Sequence, residues 1–186
     1  MNIQNKKYDP QIHHRCSTRL KNYDYASNGY YFITVCIHDK ECLFGEIRRG
    51  TACCALNEYG NIVNDEWIKS GYKRNEIELD EFVIMPNHMH GVIIINDLGT
   101  DLGTARRAPT EQFGLPVSGS LPTIVRAFKS ASTKRINELR NSSGQKLWQR
   151  NYYEHIIRDD KDLNRIRKYI KDNPVKWEED EYYKDE

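Results

Sequence analysis

Residues 82–96, FVIMPNHMHGVIIIN, decide the fold because they place two histidines inside a long apolar run. Val and Ile stand on both sides of a Pro86-Asn87 break, and this pattern predicts two β-strands joined by a tight connection. Side chains alternate between the two faces of a strand, so His88 and His90 are expected to lie side by side. Two neutral imidazoles placed in this way form half of a metal site and need further ligands from elsewhere.

A His-x-His pair has a simpler interpretation, in which both side chains sit on the solvent-facing side of a half-exposed strand. That interpretation is the commoner one for an arbitrary pair, because strand faces often alternate between apolar and polar. The assignment of His88 and His90 as ligands therefore depends on partners supplied by the rest of the chain.

The length and composition predict one soluble domain. The chain has 186 residues, of which 38% are apolar and 30% are charged, which is enough to bury a core. We expect a single domain over 1–186, with an irregular N-terminal arm over 1–28 and a flexible loop over 97–120. No apolar run reaches membrane-spanning length, and the first residues lack the apolar centre of a secretion signal, so we expect a cytoplasmic protein that does not enter a membrane.

The periodicity of the remaining chain predicts alternating strands and helices. A β-rich run opens at Gly29, and the following segment CLFGEI is predicted to form a hairpin with it. The histidine strand is predicted to pair with the strand before it. The other predicted elements are helices over 57–70, 121–140 (after a Ser120 cap) and 160–173 (after an Asp159-Asp160 cap), and strands over 77–85 and within 147–158.

Net charge of +1 creates no global field that would attract nucleic acid, but the basic residues are unevenly distributed. One face of the predicted helix 121–140 is basic, although a solvated helix face is the alternative explanation. In the segment that follows, aromatic residues interleave with arginines, which suits stacking on bases and pairing with phosphates. The predicted DNA-binding side chains are Arg126, Lys129, Arg150, Tyr153, His155 and Arg158.

The last predicted helix carries Tyr169 and Asn173 four residues apart, so both side chains lie on one side of it. Each has an ordinary explanation by itself, as an amphipathic margin residue or as a helix-end residue before proline. Together with His88 and His90 they would form a His-His-Asn metal site with a tyrosine hydroxyl beside it. Mixed nitrogen and oxygen ligands suit Mg²⁺ or Mn²⁺ acting on a phosphate, and the tyrosine would form a covalent phosphotyrosine.

The combined pattern resembles the single-tyrosine HUH transposases of insertion sequences, and most specifically the REP-associated tyrosine transposases, which act on palindromic DNA repeats. The resemblance covers most of the chain from Arg19 to Trp177. The segments that carry it are RLKNYDYASNGYYFITVCIH (19–38), FVIMPNHMHGVIII (82–95), SLPTIVRAFKSAST (120–133) and WQRNYYEHIIRDDKDLNRIRKYIKDNPVKW (148–177).

The resemblance implies an α+β fold, a ferredoxin-like antiparallel sheet packed by helices, with the catalytic tyrosine on a C-terminal helix. It implies that His88 and His90 are the HUH pair, that Tyr169 is the nucleophile and that Asn173 is the polar ligand, where insertion-sequence relatives use Gln. The implied activity is metal-dependent cutting and rejoining of single-stranded or hairpin DNA through a 5′-phosphotyrosine intermediate, by a monomer or a homodimer.

Three alternatives remain open from the sequence. The first is a catalytically silent DNA-binding regulator of repeat elements. The second is a small metal oxygenase or hydrolase, which would need further His or carboxylate ligands. The third concerns the nucleophile alone, because Tyr152 and Tyr153 are rivals of Tyr169.

Overall fold

The computed structural model describes residues 19–20, 23–47, 54–96 and 117–183. Most of the predicted arm and of the loop 97–120 lies outside the described residues, so both stay predictions, as does the single domain. The strands are β1 (Gly29–Cys36), β2 (Gly45–Ile47), β3 (Cys54–Leu56), β4 (Ile77–Ile84), β5 (His88–Ile95) and β6 (Tyr153–Ile157), and the α-helices are α1 (Glu58–Tyr72), α2 (Leu121–Leu139) and α3 (Asp160–Asp172).

Four strands form one antiparallel sheet in the order β4-β5-β1-β6. Helix α1 lies between β1 and β4 in the chain, and α2 lies between β5 and β6. This β-α-β-β-α-β order, with the first and third sheet strands at the centre, is the ferredoxin-like arrangement. The predicted α+β fold is therefore confirmed, and β2 and β3 form a separate two-stranded sheet.

The Pro86-Asn87 break joins β4 to β5 as predicted. Ile84 pairs with Met89, and the Met85 amide donates to the His88 carbonyl oxygen over 2.8 Å. Strand β5 then pairs with β4 on one side and with β1 on the other, so its register is fixed from both edges.

The predicted hairpin between the Gly29 run and CLFGEI is wrong. Strand β1 lies between β5 and β6, and β2 pairs with β3 instead. After β1 the chain turns out of the sheet through a 3₁₀ turn, His38–Lys40, in which Asp39 and Lys40 have φ of 61° and 57°. The physical reason is that β1 is apolar and buried on both faces, which favours a central position with a long strand on each side.

The two faces of the sheet carry different helices and different cores. Helices α1 and α2 cover one face, where twenty of the described residues form an apolar cluster around Trp67 and Phe128. Gly91 is required in β5 on this face, since a Cβ atom there would lie 2.6 Å from Cζ2 of Trp67. Helix α3 covers the opposite face. Its Leu163, Ile166 and Ile170 form a buried apolar cluster there with the strand residues Phe32, Val92 and Ile157.

Of the helix caps predicted from the sequence, one forms as a side-chain cap and one does not. Asp159 caps α3 by accepting from the Asp162 amide over 2.8 Å, and α3 ends just before Pro174. Ser120 stands at the start of α2, but its hydroxyl donates to the Val117 carbonyl and makes no side-chain cap. Within the described part of the chain, no helix combines the length and the apolarity that crossing a bilayer would require.

Candidate active site

The alternation of β5 turns His88 and His90 toward α3, where both are almost completely buried. Their Nε2 atoms lie 3.0 Å apart, with the rings in an edge-to-face arrangement. The second ring nitrogens point away from each other, His88 Nδ1 to Asn87 Oδ1 and His90 Nδ1 to the Thr34 hydroxyl, each over 2.8 Å. The interpretation of a solvent-facing pair is therefore wrong, and both Nε2 atoms converge on one point.

Both imidazoles are neutral near pH 7. Burial, and after it the charge of Lys40, lowers the pKa of His88 to about 3. Burial, and after it the neighbouring His88, holds the pKa of His90 well below its usual range. A neutral imidazole is the form that binds a metal ion.

Helix α3 brings Tyr169 to this pair within one chain. Its hydroxyl oxygen lies 3.3 Å from Nε2 of His90, and its ring packs against the His90 ring at 5.1 Å. The residue stays 41% exposed although its hydroxyl contacts a buried imidazole. Burial raises the pKa of Tyr169 to about 12, with the charges of Asp180 and Glu181 adding to the effect.

Asn173 lies one helical turn after Tyr169 and is buried. Its Nδ2 donates to Asp180 Oδ2 over 2.8 Å, whereas its Oδ1 has no hydrogen-bond partner in the described part of the protein. An unpartnered buried acceptor costs about 1 to 3 kcal/mol, so a cation ligated by this oxygen would remove a real penalty. An amide oxygen and two neutral imidazoles are ligand types that suit the predicted Mg²⁺ or Mn²⁺.

Asp180 is a candidate ligand that the sequence analysis missed. The 3₁₀ turn Trp177–Glu179 redirects the chain after α3 so that the Asp180 carboxylate reaches the histidines. Ligand atoms of His88, His90 and Asp180 all lie within 4.8 Å of one another. A carboxylate oxygen suits Mg²⁺ and Mn²⁺, and no spacing pattern in the acidic run EEDEYYKDE distinguishes Asp180 from its neighbours.

Two aromatic residues near Asp180 in the chain pack against the histidine pair. The Tyr182 ring packs on His88 at 4.7 Å, and the Trp177 ring lies at 5.8 Å. Beside this cover, a cleft of about 510 Å³ opens at Tyr169. Basic and acidic side chains both line it, the basic ones being Arg165, Lys168 and Lys176 and the acidic ones Asp172, Glu179, Asp180 and Glu181.

Two of the predicted DNA-binding side chains lie on the same sheet face as Tyr169. Tyr153 is 56% exposed at the start of β6, and the Phe32 ring lies between it and Tyr169, 6.2 Å from one and 6.1 Å from the other. His155, two residues further on, is held by Asp162 through a 2.6 Å contact from Nε2 to Oδ2. Arg158 follows β6 directly and is exposed.

Arg150 is exposed in the segment before β6, and two further predicted DNA-binding side chains lie away from this face. Arg126 and Lys129 belong to α2, on the opposite side of the sheet. The Lys129 ammonium donates to the carbonyl oxygens of Gln149, Arg150 and Asn151 over 2.5, 3.2 and 3.5 Å, and burial lowers its pKa to about 8. Their roles as DNA contacts stay predictions.

The three candidate nucleophiles, Tyr152, Tyr153 and Tyr169, differ in their position relative to the histidine pair. Tyr152 packs against the apolar cluster under α1 and α2, and burial raises the pKa of its hydroxyl above the usual range. Tyr153 shares the face of Tyr169, but Phe32 separates the two rings. Of the three tyrosines, only Tyr169 has a hydroxyl in contact with the histidine pair in the described residues.

A buried histidine pair on a ferredoxin-like sheet, faced by a helical tyrosine, is the arrangement that the resemblance to single-tyrosine HUH transposases implies. Comparison with known proteins agrees with it. The family described as IS200-like transposases matches residues 113–173. An uncharacterised protein of Haemophilus influenzae is 45% identical over 96% of this chain and 98% of its own length.

A second Haemophilus influenzae protein, assigned as a REP-associated tyrosine transposase, is 28% identical over 84% of this chain and 77% of its own length. The structure of a REP-associated tyrosine transposase bound to a REP hairpin superposes with a TM-score of 0.53 at 21% identity, covering 88% of this chain and 74% of that one. Residues 113–173 thus carry the match to IS200-like transposases, and the chain is similar over most of its length to a REP-associated tyrosine transposase.

Proposed function

We propose that this protein cuts and rejoins single-stranded or hairpin DNA through a 5′-phosphotyrosine at Tyr169. One observation carries the proposal, namely that the Tyr169 hydroxyl lies 3.3 Å from Nε2 of His90 within a single chain. The nucleophile therefore needs no second copy of the protein to reach the histidines, whether the protein acts as a monomer or as a homodimer.

The strand transfer consists of two balanced exchanges at phosphorus. The Tyr169 oxygen forms a bond to the phosphorus, the bond from phosphorus to the 3′ oxygen breaks, and the released 3′ oxygen takes up a proton. The phenolic proton leaves to solvent at the exposed edge of Tyr169. Attack by a 3′-hydroxyl on the phosphotyrosine reverses both bond changes and rejoins the strand.

The candidate ligands are His88, His90 and Asn173, with Asp180 as the additional oxygen donor. A divalent cation held there, Mg²⁺ or Mn²⁺, would supply Lewis acidity to the phosphate. Two observations support this assignment, namely the unpartnered Oδ1 of Asn173 and the grouping of both Nε2 atoms with the Asp180 carboxylate.

The cleft beside Tyr169 supports DNA as the substrate. Arg165, Lys168 and Lys176 line it beside four acidic residues, and these three cationic side chains offer partners for the phosphates of a DNA strand. The exposed Tyr153 ring, on the same face, would stack on a base of an unpaired strand. The structural relative is bound to a DNA hairpin, which supports a hairpin as the form of substrate. Because the proposed substrate is cellular DNA, the proposal also includes a cytoplasmic location for the protein.

The decisive experiment replaces Tyr169 with Phe and follows covalent adducts. Wild-type protein incubated with Mn²⁺ and a panel of hairpin oligonucleotides with single-stranded flanks is expected to give an adduct that survives denaturing electrophoresis. Tyr169→Phe should reduce the adduct below detection while DNA binding stays largely intact, since only the hydroxyl is lost. Tyr72→Phe, at an exposed tyrosine on α1, is the matched control.

The alternatives predict different results in the same assay. Undiminished adduct in Tyr169→Phe, with loss of the adduct in Tyr152→Phe or Tyr153→Phe, would reassign the nucleophile. Wild-type protein that binds the hairpin but leaves it uncut with either metal would favour a catalytically silent regulator.

A further inference from the structure

Asn87 lies in the connection between β4 and β5, with its side chain fully buried and every polar atom of its amide hydrogen-bonded. Its Nδ2 donates to the main-chain carbonyl oxygens of Lys40 and Tyr182, over 3.2 and 2.8 Å. Its Oδ1 lies 2.8 Å from Nδ1 of His88. Main-chain carbonyls can only accept, so the amide nitrogen must face them and the amide oxygen must face the imidazole.

This orientation determines which nitrogen of His88 carries the proton. An amide oxygen accepts and never donates, so a hydrogen bond to Asn87 requires the proton of the neutral imidazole to be on Nδ1. The opposite tautomer would place two acceptor atoms 2.8 Å apart in a buried site. With the proton on Nδ1, Nε2 of His88 presents its lone pair to the point shared with His90.

His90 is supported differently. Its Nδ1 lies 2.8 Å from the hydroxyl of Thr34, and a hydroxyl can either donate or accept. His90 can therefore donate from Nε2 to Nε2 of His88, or it can keep its proton on Nδ1 and offer a second lone pair. One imidazole has a single allowed tautomer, and the other can adapt to what occupies the site.

We propose that Asn87 is a positioning residue that locks His88 in the Nδ1-protonated tautomer and so preforms Nε2 as a metal ligand. The inference rests on the proposed function only in taking a divalent cation as the ligand. Partners behind a metal-binding histidine orient its ring and set its tautomer, and their loss commonly costs 10- to 100-fold in metal affinity. Asn87 also joins three separate parts of the chain at this point, because Lys40 precedes β2 and Tyr182 follows α3.

Two substitutions separate the acceptor from the rest of the amide. Asn87→Leu keeps a similar volume but removes both the acceptor for His88 and the donors to Lys40 and Tyr182. Asn87→Asp keeps an acceptor oxygen toward His88 while it removes the donors to Lys40 and Tyr182. Asn137→Ala is the matched control, because Asn137 is another buried asparagine that donates to a main-chain carbonyl, that of Gln145, on the opposite face of the sheet.

The first measurement is the tautomer of His88 in the metal-free protein, from ¹⁵N chemical shifts of the imidazole nitrogens. Wild type, Asn87→Asp and Asn137→Ala are expected to show protonated Nδ1, and Asn87→Leu is expected to lose this preference. Protonated Nε2 of His88 in the wild type would overturn the inference even if Asn87→Leu did not fold.

The second measurement is Mn²⁺ affinity of the full chain by titration calorimetry. Asn87→Leu is expected to bind Mn²⁺ 10- to 100-fold more weakly, with a smaller loss in Asn87→Asp and none in Asn137→Ala. Wild-type affinity in a folded Asn87→Leu variant would overturn the inference. Failure of the wild type to form a DNA adduct would instead count against the proposed function, because the tautomer measurement needs neither metal nor DNA.

Discussion

The two faces of the four-stranded sheet differ in what they bury. The face under α1 and α2 encloses twenty apolar residues, whereas the face under α3 encloses six; both faces bury polar side chains, and those on the α3 face include the histidine pair. The polar side chains buried on the α3 face are Thr34, His88, His90 and Asn173. Burying polar groups costs free energy unless each is hydrogen-bonded, so the first face has to stabilise a sheet whose other face is organised for chemistry.

Both faces use the same strands, so they are linked through register. In β5, Met89 and Ile93 enter the larger core, and His88 and His90 face α3. A slip of one residue would exchange these sets and destroy the core and the site together. Pairing of β5 with both β4 and β1 prevents such a slip.

The largest expected effect comes from breaking the apolar face. Phe128 is 1% exposed and packs against Trp67 and Trp148, with ring centroids 5.2 and 5.7 Å away. Phe128→Ala should lower the free energy of unfolding by about 3 to 5 kcal/mol, because it removes buried area and leaves a cavity. Denaturant unfolding measures this loss.

The comparison variant is Ile166→Ala on α3. It should cost less, about 2 kcal/mol, since the core on that face is smaller. An equal or larger loss in Ile166→Ala would mean that the two faces share the stabilisation evenly.

The next effect concerns the polar face, which a bound cation should stabilise. At a free Mn²⁺ concentration 100 times its dissociation constant, the free energy of unfolding should rise by about 2.7 kcal/mol. Thermal unfolding with and without Mn²⁺ measures the gain, and chelation should reverse it. The gain should vanish in His88→Ala and persist in His38→Ala, at a half-exposed histidine outside the pair. An unchanged gain in His88→Ala would place the cation elsewhere.

The smallest effect lies at the edge of the α3 face. The hydrogen bond from His155, and after it that from Arg165, holds the pKa of Asp162 below its usual range. The folded pKa is thus below the unfolded value of about 3.9, so the stabilisation is present above that pH and is lost as pH falls through the folded pKa. Asp162→Asn should cost at most about 1 kcal/mol at pH 7, because Asp162 is partly exposed.

Unfolding of this variant and the wild type across pH tests the assignment. The difference between them should begin to close below about pH 4, where the unfolded chain takes up a proton, and should disappear as pH falls through the lower folded pKa. Asp160→Asn, which removes a charge from the same helical turn, is the matched control. A difference that stayed constant down to pH 2 would show that ionisation of Asp162 is not its cause.

Local patterns predicted the parts of the molecule that depend on neighbouring residues. The Pro86-Asn87 break, the spacing of the helices and the Asp159 cap each follow from a few adjacent side chains. The one-turn spacing of Tyr169 and Asn173 predicted a shared helix face, and in the structure Tyr169 contacts His90 while Asn173 contacts Asp180.

The features that escaped prediction depend on distant contacts. The position of β1 between β5 and β6 follows from burial on both faces, which a single strand does not specify. Asp180 reaches the histidines only because a 3₁₀ turn reverses the chain after α3, and by sequence it was one acidic residue among several. Lys129 was predicted to lie on a basic, DNA-binding helix face. Its ammonium instead donates to three main-chain carbonyl oxygens of the segment after α2.

The chain order of the site has a consequence for protein synthesis. Tyr169 follows His90 by 79 residues, and β6 with α3 must both emerge before the hydroxyl reaches the imidazoles. At translation rates of about 5 to 20 residues per second, the histidines leave the ribosome roughly 4 to 16 seconds before the tyrosine. We therefore expect a nascent chain to remain chemically inert toward DNA until α3 docks, so that the nucleophile is added to an already folded sheet.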